Sequence, residues 1–373
     1  MGVMLTRLHS LAFKGVAPSL LVLAGCLGTN DGTSRGTGGS SGGTGGGAGA
    51  GGASAGVGGA TDSDATVNCP SPPAGVRAAP CGYYVDGNKV RSVMDGSEHL
   101  FHGVARPSLE WSPAGERVSP GDADMMKTWN VNVVRFSLNQ GYWLQSSSNY
   151  VATYKTAIAT FVNVYEARGF DVILDLHWNS LPPPGKTNGQ QNGPDAGSVT
   201  FWNEVAAAFK NDGHVLFELY NEPHDLSDDA WYSGMSGLYS AVRTAGADNV
   251  VIIGGLDWAY DLTVMNRRPI QGYNIMLASH PYQDKQDMAG KVDVLAARYP
   301  IIFTEFGDRS GSCNTATATN VISHANQMGY SWTAWAWYPQ TGTAACTFPS
   351  LLSDWNGTPT AQGTVARTAL LAY

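Results

Sequence analysis

The chain has 373 residues with 22 Lys and Arg against 30 Asp and Glu, a formal charge of −8. That balance excludes an electrostatic footprint for nucleic acid or for an anionic membrane surface, and it raises no objection to a neutral polysaccharide. With 46 glycines and only 14% charged residues, the composition is uneven along the chain, so the length overstates the folded part.

Residues 1–26 carry Arg7 and Lys14 ahead of the apolar run GVAPSLLVLAGC, the layout of a secretory signal and too short to span a bilayer. Its end, Leu23-Ala24-Gly25-Cys26, resembles the lipobox of bacterial lipoproteins, which implies lipid attachment at Cys26. An ordinary cleaved signal is the alternative. Residues 27–66 form a linker dominated by Gly, Ser, Thr and Ala, which cannot bury enough apolar surface to offset its ordering entropy. As a Gly-rich coil it would reach roughly 30 Å. The protein is therefore expected to be exported, either tethered at the bacterial cell surface or secreted, with the lipid as its one membrane contact. The remaining cysteines, Cys69, Cys81, Cys313 and Cys346, allow three pairings, of which the sequence-adjacent one, Cys69 with Cys81 and Cys313 with Cys346, is expected.

From residue 67 to 373 a folded domain is expected. It opens on a hairpin marked by Asp86-Gly87-Asn88 and Asp95-Gly96, expected to cap the domain's lower end. Eight apolar runs then read as strands: 99–104, 131–136, 171–176, 214–220, 250–254, 274–279, 300–305 and 331–337. Helical periodicity separates them, most clearly in YVATYKTAIATFVNVYEARGF and SVTFWNEVAAAFKND. Eight βα units in about 290 residues predict an α/β fold of the (β/α)8 TIM-barrel type, with its site at the strands' carboxyl ends.

Polar residues mark those ends: Arg135, His177, Asn221 and Glu222, His280 and Tyr282, Glu305, and Trp335 to Trp337. Burying a lone carboxylate within such a core is costly, so Glu222 and Glu305 should face a cleft. Paired carboxylates in a cleft suit glycoside hydrolysis. Arg135 has a plainer reading as neutraliser of inward Asp175 or Glu218, and Glu218 reads as a buried network member.

The motifs NVVRFSLN, ILDLHW, YNEPHD, SHPY, FTEFG and SWTAWAW, in this order, resemble the cellulase family of retaining glycoside hydrolases, family five. The resemblance runs from about residue 82 to the end. It implies Glu222 as acid/base and Glu305 as nucleophile. It further implies Arg135 and Tyr282 in support of the nucleophile, Asn221 on the sugar 2-hydroxyl, His177 and His280 as cleft histidines, and Trp335 as sugar platform. Trp337 is kept beside Trp335 because it shares strand parity, and Trp178 is a further cleft candidate. HGVARPSLEW departs from the family's Gly-Val-Asn at Ala105; His102 and Glu110 stand nearby without assigned roles. The expected activity is a retaining, endo-acting β-1,4-glucanase working as a monomer on β-glucan without metal or cofactor. A β-mannanase or mixed-linkage glucanase, and a non-hydrolytic polysaccharide-binding protein, are the alternatives.

Overall fold

Eight parallel strands close on themselves in the computed structural model, which describes residues 68–340, 342 and 344–373. The expected signal, the Cys26 lipid site and the 27–66 linker lie outside the described residues. Two short strands, β1 (Tyr83–Asp86) and β2 (Lys89–Ser92), form the anticipated hairpin, pairing Asp86 with Lys89 across Gly87-Asn88. Gly87 takes φ +61°, the positive angle that the first position of a tight II′ turn requires.

The barrel consists of β3 (His102–Arg106), β4 (Val133–Asn139), β5 (Asp171–Trp178), β6 (Val215–Glu218), β7 (Val251–Gly254), β8 (Ile275–Ser279), β9 (Ile301–Phe303) and β10 (Ser331–Ala334). Each pairs with the next in parallel, and β10 closes against β3 through Trp332–His102 to Ala334–Val104. β3 and β4 approach closely at Gly103, where a Cβ would stand 1.8 Å from the Val133 carbonyl oxygen. Helices cover the outside, including Tyr154–Glu166, Ala196–Phe209 and Asp228–Thr244. The second begins at a capping box in which Asp195 and Ser198 satisfy each other's backbone donors, an arrangement contributing about 1 kcal/mol.

Period-two alternation sorts the strand residues into two cores. Outward side chains such as Val134, Phe136, Val172, Leu174 and Phe217 join the helices in the larger cluster. Inward ones, Val133, Ile173, Leu216, Ile252, Met276 and Ile302, fill the barrel floor with Tyr83 and Val90 of the hairpin, which thus caps the amino-terminal end. One step up, the inward positions turn polar: Arg135 on β4, Asp175 on β5, its register partner Glu218 on β6, and Thr304 just past β9. A further step reaches the mouth. The disulfides are Cys69–Cys81 and Cys313–Cys346, the sequence-adjacent pairing.

Candidate active site

The polar layer organises the mouth above it. Arg135 is fully buried and reaches four groups. Its Nε donates to Glu218 Oε2 at 2.5 Å, Nη1 to Glu305 Oε1 at 2.7 Å, and Nη2 to Asn221 Oδ1 at 2.7 Å while lying 3.0 Å from Asp175 Oδ2. Arg135 thus meets the inward carboxylates Asp175 and Glu218 and also touches Glu305. Burial works against ionised Glu218, yet Arg135 and His280 outweigh it and hold this carboxyl down at about 2. Three buried carboxylates in turn hold the Arg135 guanidinium charged against its own burial.

Glu305 lies two residues past the end of β9. Its second oxygen accepts from the Tyr282 hydroxyl at 2.8 Å, so each carboxylate oxygen has one donor. A bridge between Tyr282 and Gly307 carries the β8–β9 pairing into the loops and sets these side chains side by side.

Glu222 lies four residues past β6, and its Oε1 meets His280 Nδ1 at 3.0 Å. His280 Nε2 meets the Thr304 hydroxyl at 2.9 Å, and that hydroxyl is 2.8 Å from Glu218 Oε1. An ionised carboxylate can only accept, so Thr304 gives its single hydrogen to Glu218 and accepts from His280 Nε2–H. The proton on the other side is then shared between His280 Nδ1 and Glu222. Burial opposes a charged His280, but Glu305, Glu218 and Glu222 prevail and raise it to about 9. Burial likewise opposes ionised Glu222, and the His280 hydrogen bond and charge hold it below the usual glutamate value.

Suitable atoms of Glu222, His280 and Glu305 lie within 4.8 Å of one another, close enough to hold a divalent cation. Both Glu305 oxygens and His280 Nδ1 already have protein partners, so a cation would compete with Arg135, Tyr282 and Glu222 for them.

A cleft of about 600 Å³ opens above this pair, lined by His177, Trp178, Asn221, Glu222, Tyr282, Glu305, Trp335 and others. His177 Nδ1 is 2.7 Å from Asp175 Oδ2, and although burial disfavours its charge, Asp175 raises its proton affinity. Trp335 lies parallel to the His177 ring at 5.6 Å between centroids and offers a flat indole to the cleft. Asn221 uses one amide hydrogen on Gln190 Oε1 at 2.7 Å, leaving the other.

Trp337 is a correction. It is fully buried, donates to Asp122 Oδ1 at 2.8 Å and packs edge-on against Trp129 in the outer core. β10 ends at Ala334, so strand parity stops before Trp337 and does not carry it to the cleft. His102 also points away, stacked on Tyr373 at 3.7 Å.

Glu110, Trp111, Arg309 and Phe348 line the cleft without having been assigned from sequence. Glu110 accepts from the Ser108 amide at 2.7 Å, and burial pushes its carboxyl up to about 7. Its signal was the polar Glu-Trp pair closing the apolar first-strand segment. Arg309 and Phe348 sit on loops, where no periodicity gives a direction.

The family model for cellulase, glycosyl hydrolase family 5, matches residues 94–341. Cellulase CelDZ1 from a Thermoanaerobacterium species is 23% identical over 293 residues, 72% of this chain and 74% of that one. Endoglucanase A of Butyrivibrio fibrisolvens is 25% identical over 237 residues, 60% of this chain and 52% of the relative. Among solved structures, the beta-glucanase SdGluc5_26A of Saccharophagus degradans in complex with cellotetraose superposes with a TM-score of 0.64 at 20% identity, covering 80% of this chain and 94% of that one.

Proposed function

The chain belongs to the cellulase family, glycosyl hydrolase family 5, and is a glycoside hydrolase; from that premise we propose that it cuts internal β-1,4 bonds of glucan by double displacement with retention. The observation that carries this reading is that Glu222 and Glu305 each bring one carboxylate oxygen within 4.8 Å of the other across an open cleft. Retaining pairs stand about 5 to 5.5 Å apart, whereas inverting pairs need roughly 6.5 to 9.5 Å to admit a water.

Glu305 attacks the anomeric carbon. Two donors, Arg135 and Tyr282, each hold one of its oxygens and fix the direction of its lone pairs. Glu222 delivers the proton it shares with His280 to the leaving oxygen, then takes one from the water that hydrolyses the glycosyl–Glu305 ester. The spare Asn221 amide hydrogen suits a sugar 2-hydroxyl, Trp335 provides the stacking face, and His177 stands over the same ring space.

The test is Glu305→Ala on an aryl β-cellobioside with azide added. Azide entering from the vacated side gives an α-glycosyl azide; a β-azide product would sink the assignment of Glu305. The catalytic pair does not fix the sugar, so hydrolysis of carboxymethylcellulose, lichenan and galactomannan should be compared, with glucan favoured on the strength of relatives named cellulase and endoglucanase. Export with a lipid at Cys26 belongs to the same proposal, supported by two disulfides of the kind oxidising compartments maintain. Labelled palmitate should enter the wild-type chain and not Cys26→Ser.

A further inference from the structure

Arg309 is held at both ends by the loop after β8. Its backbone amide donates to Gln283 Oε1 at 2.9 Å, and its guanidinium carbon lies 4.1 Å from the centre of the Tyr282 ring. Stacking of this kind fixes the plane of the guanidinium and leaves its N–H edge free. Among the described residues no acceptor takes any of those N–H groups and no carboxylate comes within ion-pair distance, whereas Arg106, Arg135, Arg168, Arg267 and Arg268 all have acidic partners. Glu222, Glu305 and Asp284 attract Arg309 from farther away. The side chain is exposed to the cleft that it lines.

In the one-proton state the groups beneath it carry one net negative charge, which Arg309 offsets only from a distance. With one proton shared by Glu222 and His280, the remaining groups are Arg135 with Glu218 and Glu305, and the His177–Asp175 pair, which is neutral overall wherever its proton sits. No contact ties the Arg309 charge to any one of these carboxylates, and it stands at a fixed position one aromatic ring away from the nucleophile.

We propose that Arg309 is a specificity-determining residue that recognises a carboxylate on the glucan chain, a uronate or carboxyl-substituted glucose unit, next to the bond that is cut. The inference rests on the glucanase reading above. A guanidinium fork matches a carboxylate with two parallel hydrogen bonds, a pairing that a neutral hydroxyl does not reproduce.

The experiment compares wild-type protein with Arg309→Gln on two soluble β-1,4-glucans of matched substitution, carboxymethylcellulose and hydroxyethylcellulose, each at low and high salt. The readout is the ratio of kcat/KM for the anionic chain to that for the neutral one, which cancels any loss of folded protein. In the variant the ratio falls roughly fivefold, the scale of a solvent-exposed ion pair. Added salt lowers the wild-type ratio and leaves that of the variant flat. An equal effect of Arg309→Gln on both substrates, or a wild-type ratio indifferent to salt, overturns the assignment while cleavage of hydroxyethylcellulose leaves the glucanase reading standing. A wild-type protein that cleaves neither chain overturns both.

Discussion

Replacing Arg135 with alanine strands three buried carboxylates, Asp175, Glu218 and Glu305, that now share one cation. Removing one partner of a buried ion pair costs about 3 to 5 kcal/mol. For a folded unit of about 300 residues, with an unfolding entropy of roughly 2.1 cal/mol/K per residue, that corresponds to a Tm lower by about 5 to 8 °C. The double variant Arg135→Met/Glu218→Met removes the tightest pair together and should recover part of this loss, because apolar replacement of a buried pair is close to neutral while Asp175 and Glu305 stay without their cation. Activity should not return with it. Glu305 would still lack a charge-assisted hydrogen bond, the kind that contributes about 1.5 to 3 kcal/mol, so kcat/KM on an aryl β-cellobioside stays down roughly ten- to hundredfold. Thermal unfolding and initial rates measured on the same preparations separate the two effects. Arg135→Ala melting at the wild-type temperature, or a double variant that regains activity along with stability, would refute the reasoning.

The shared proton of Glu222 and His280 should be lost as pH rises through about 9. In His280→Gln the Glu222 carboxyl must hold it alone, so the basic limb of kcat/KM should move acid-ward by on the order of one to two pH units, and an unmoved limb rejects the pair. Because the folded-state value of His280 lies above its ordinary 6.5, its stabilising contribution is full below pH 6.5 and disappears toward pH 9; wild-type Tm should fall across that window more than that of His280→Gln. Trp335→Ala should raise KM for cello-oligosaccharides, whereas Trp337→Phe should lower Tm through loss of its bond to Asp122 without changing KM. Replacing Cys313 and Cys346 together by serine opens a loop spanning 33 positions and should cost about 3 to 4 kcal/mol, read as a Tm drop of about 5 to 6 °C.

The barrel was legible in the sequence because strands covered on both faces read as unbroken apolar runs, and each of the eight predicted runs contains the core of one observed strand. The place of Glu222 and Glu305, the proposed catalytic pair, was legible for a related reason: a carboxylate ending such a run has nowhere inexpensive to go but the mouth. Parity served as far as the strand persists. It placed Arg135, Asp175 and Glu218 on one inward layer and misplaced Trp337, because β10 ends at Ala334. Glu110 and Arg309 escaped assignment since each lies on an irregular loop whose direction is set by particular contacts, the neighbouring Ser108 amide in one case and the sequence-distant Gln283 and Tyr282 in the other.

From Glu222 through His280, Thr304, Glu218 and Arg135 to Glu305, the hydrogen bonds form one continuous path. In the proposed double displacement this path would keep time. Esterification of Glu305 erases the negative charge that does most to make His280 a cation, so His280 is most readily neutral during the interval when Glu222 must pull a proton from water. Hydrolysis of the ester restores that charge, and His280 again attracts the proton needed for the next bond.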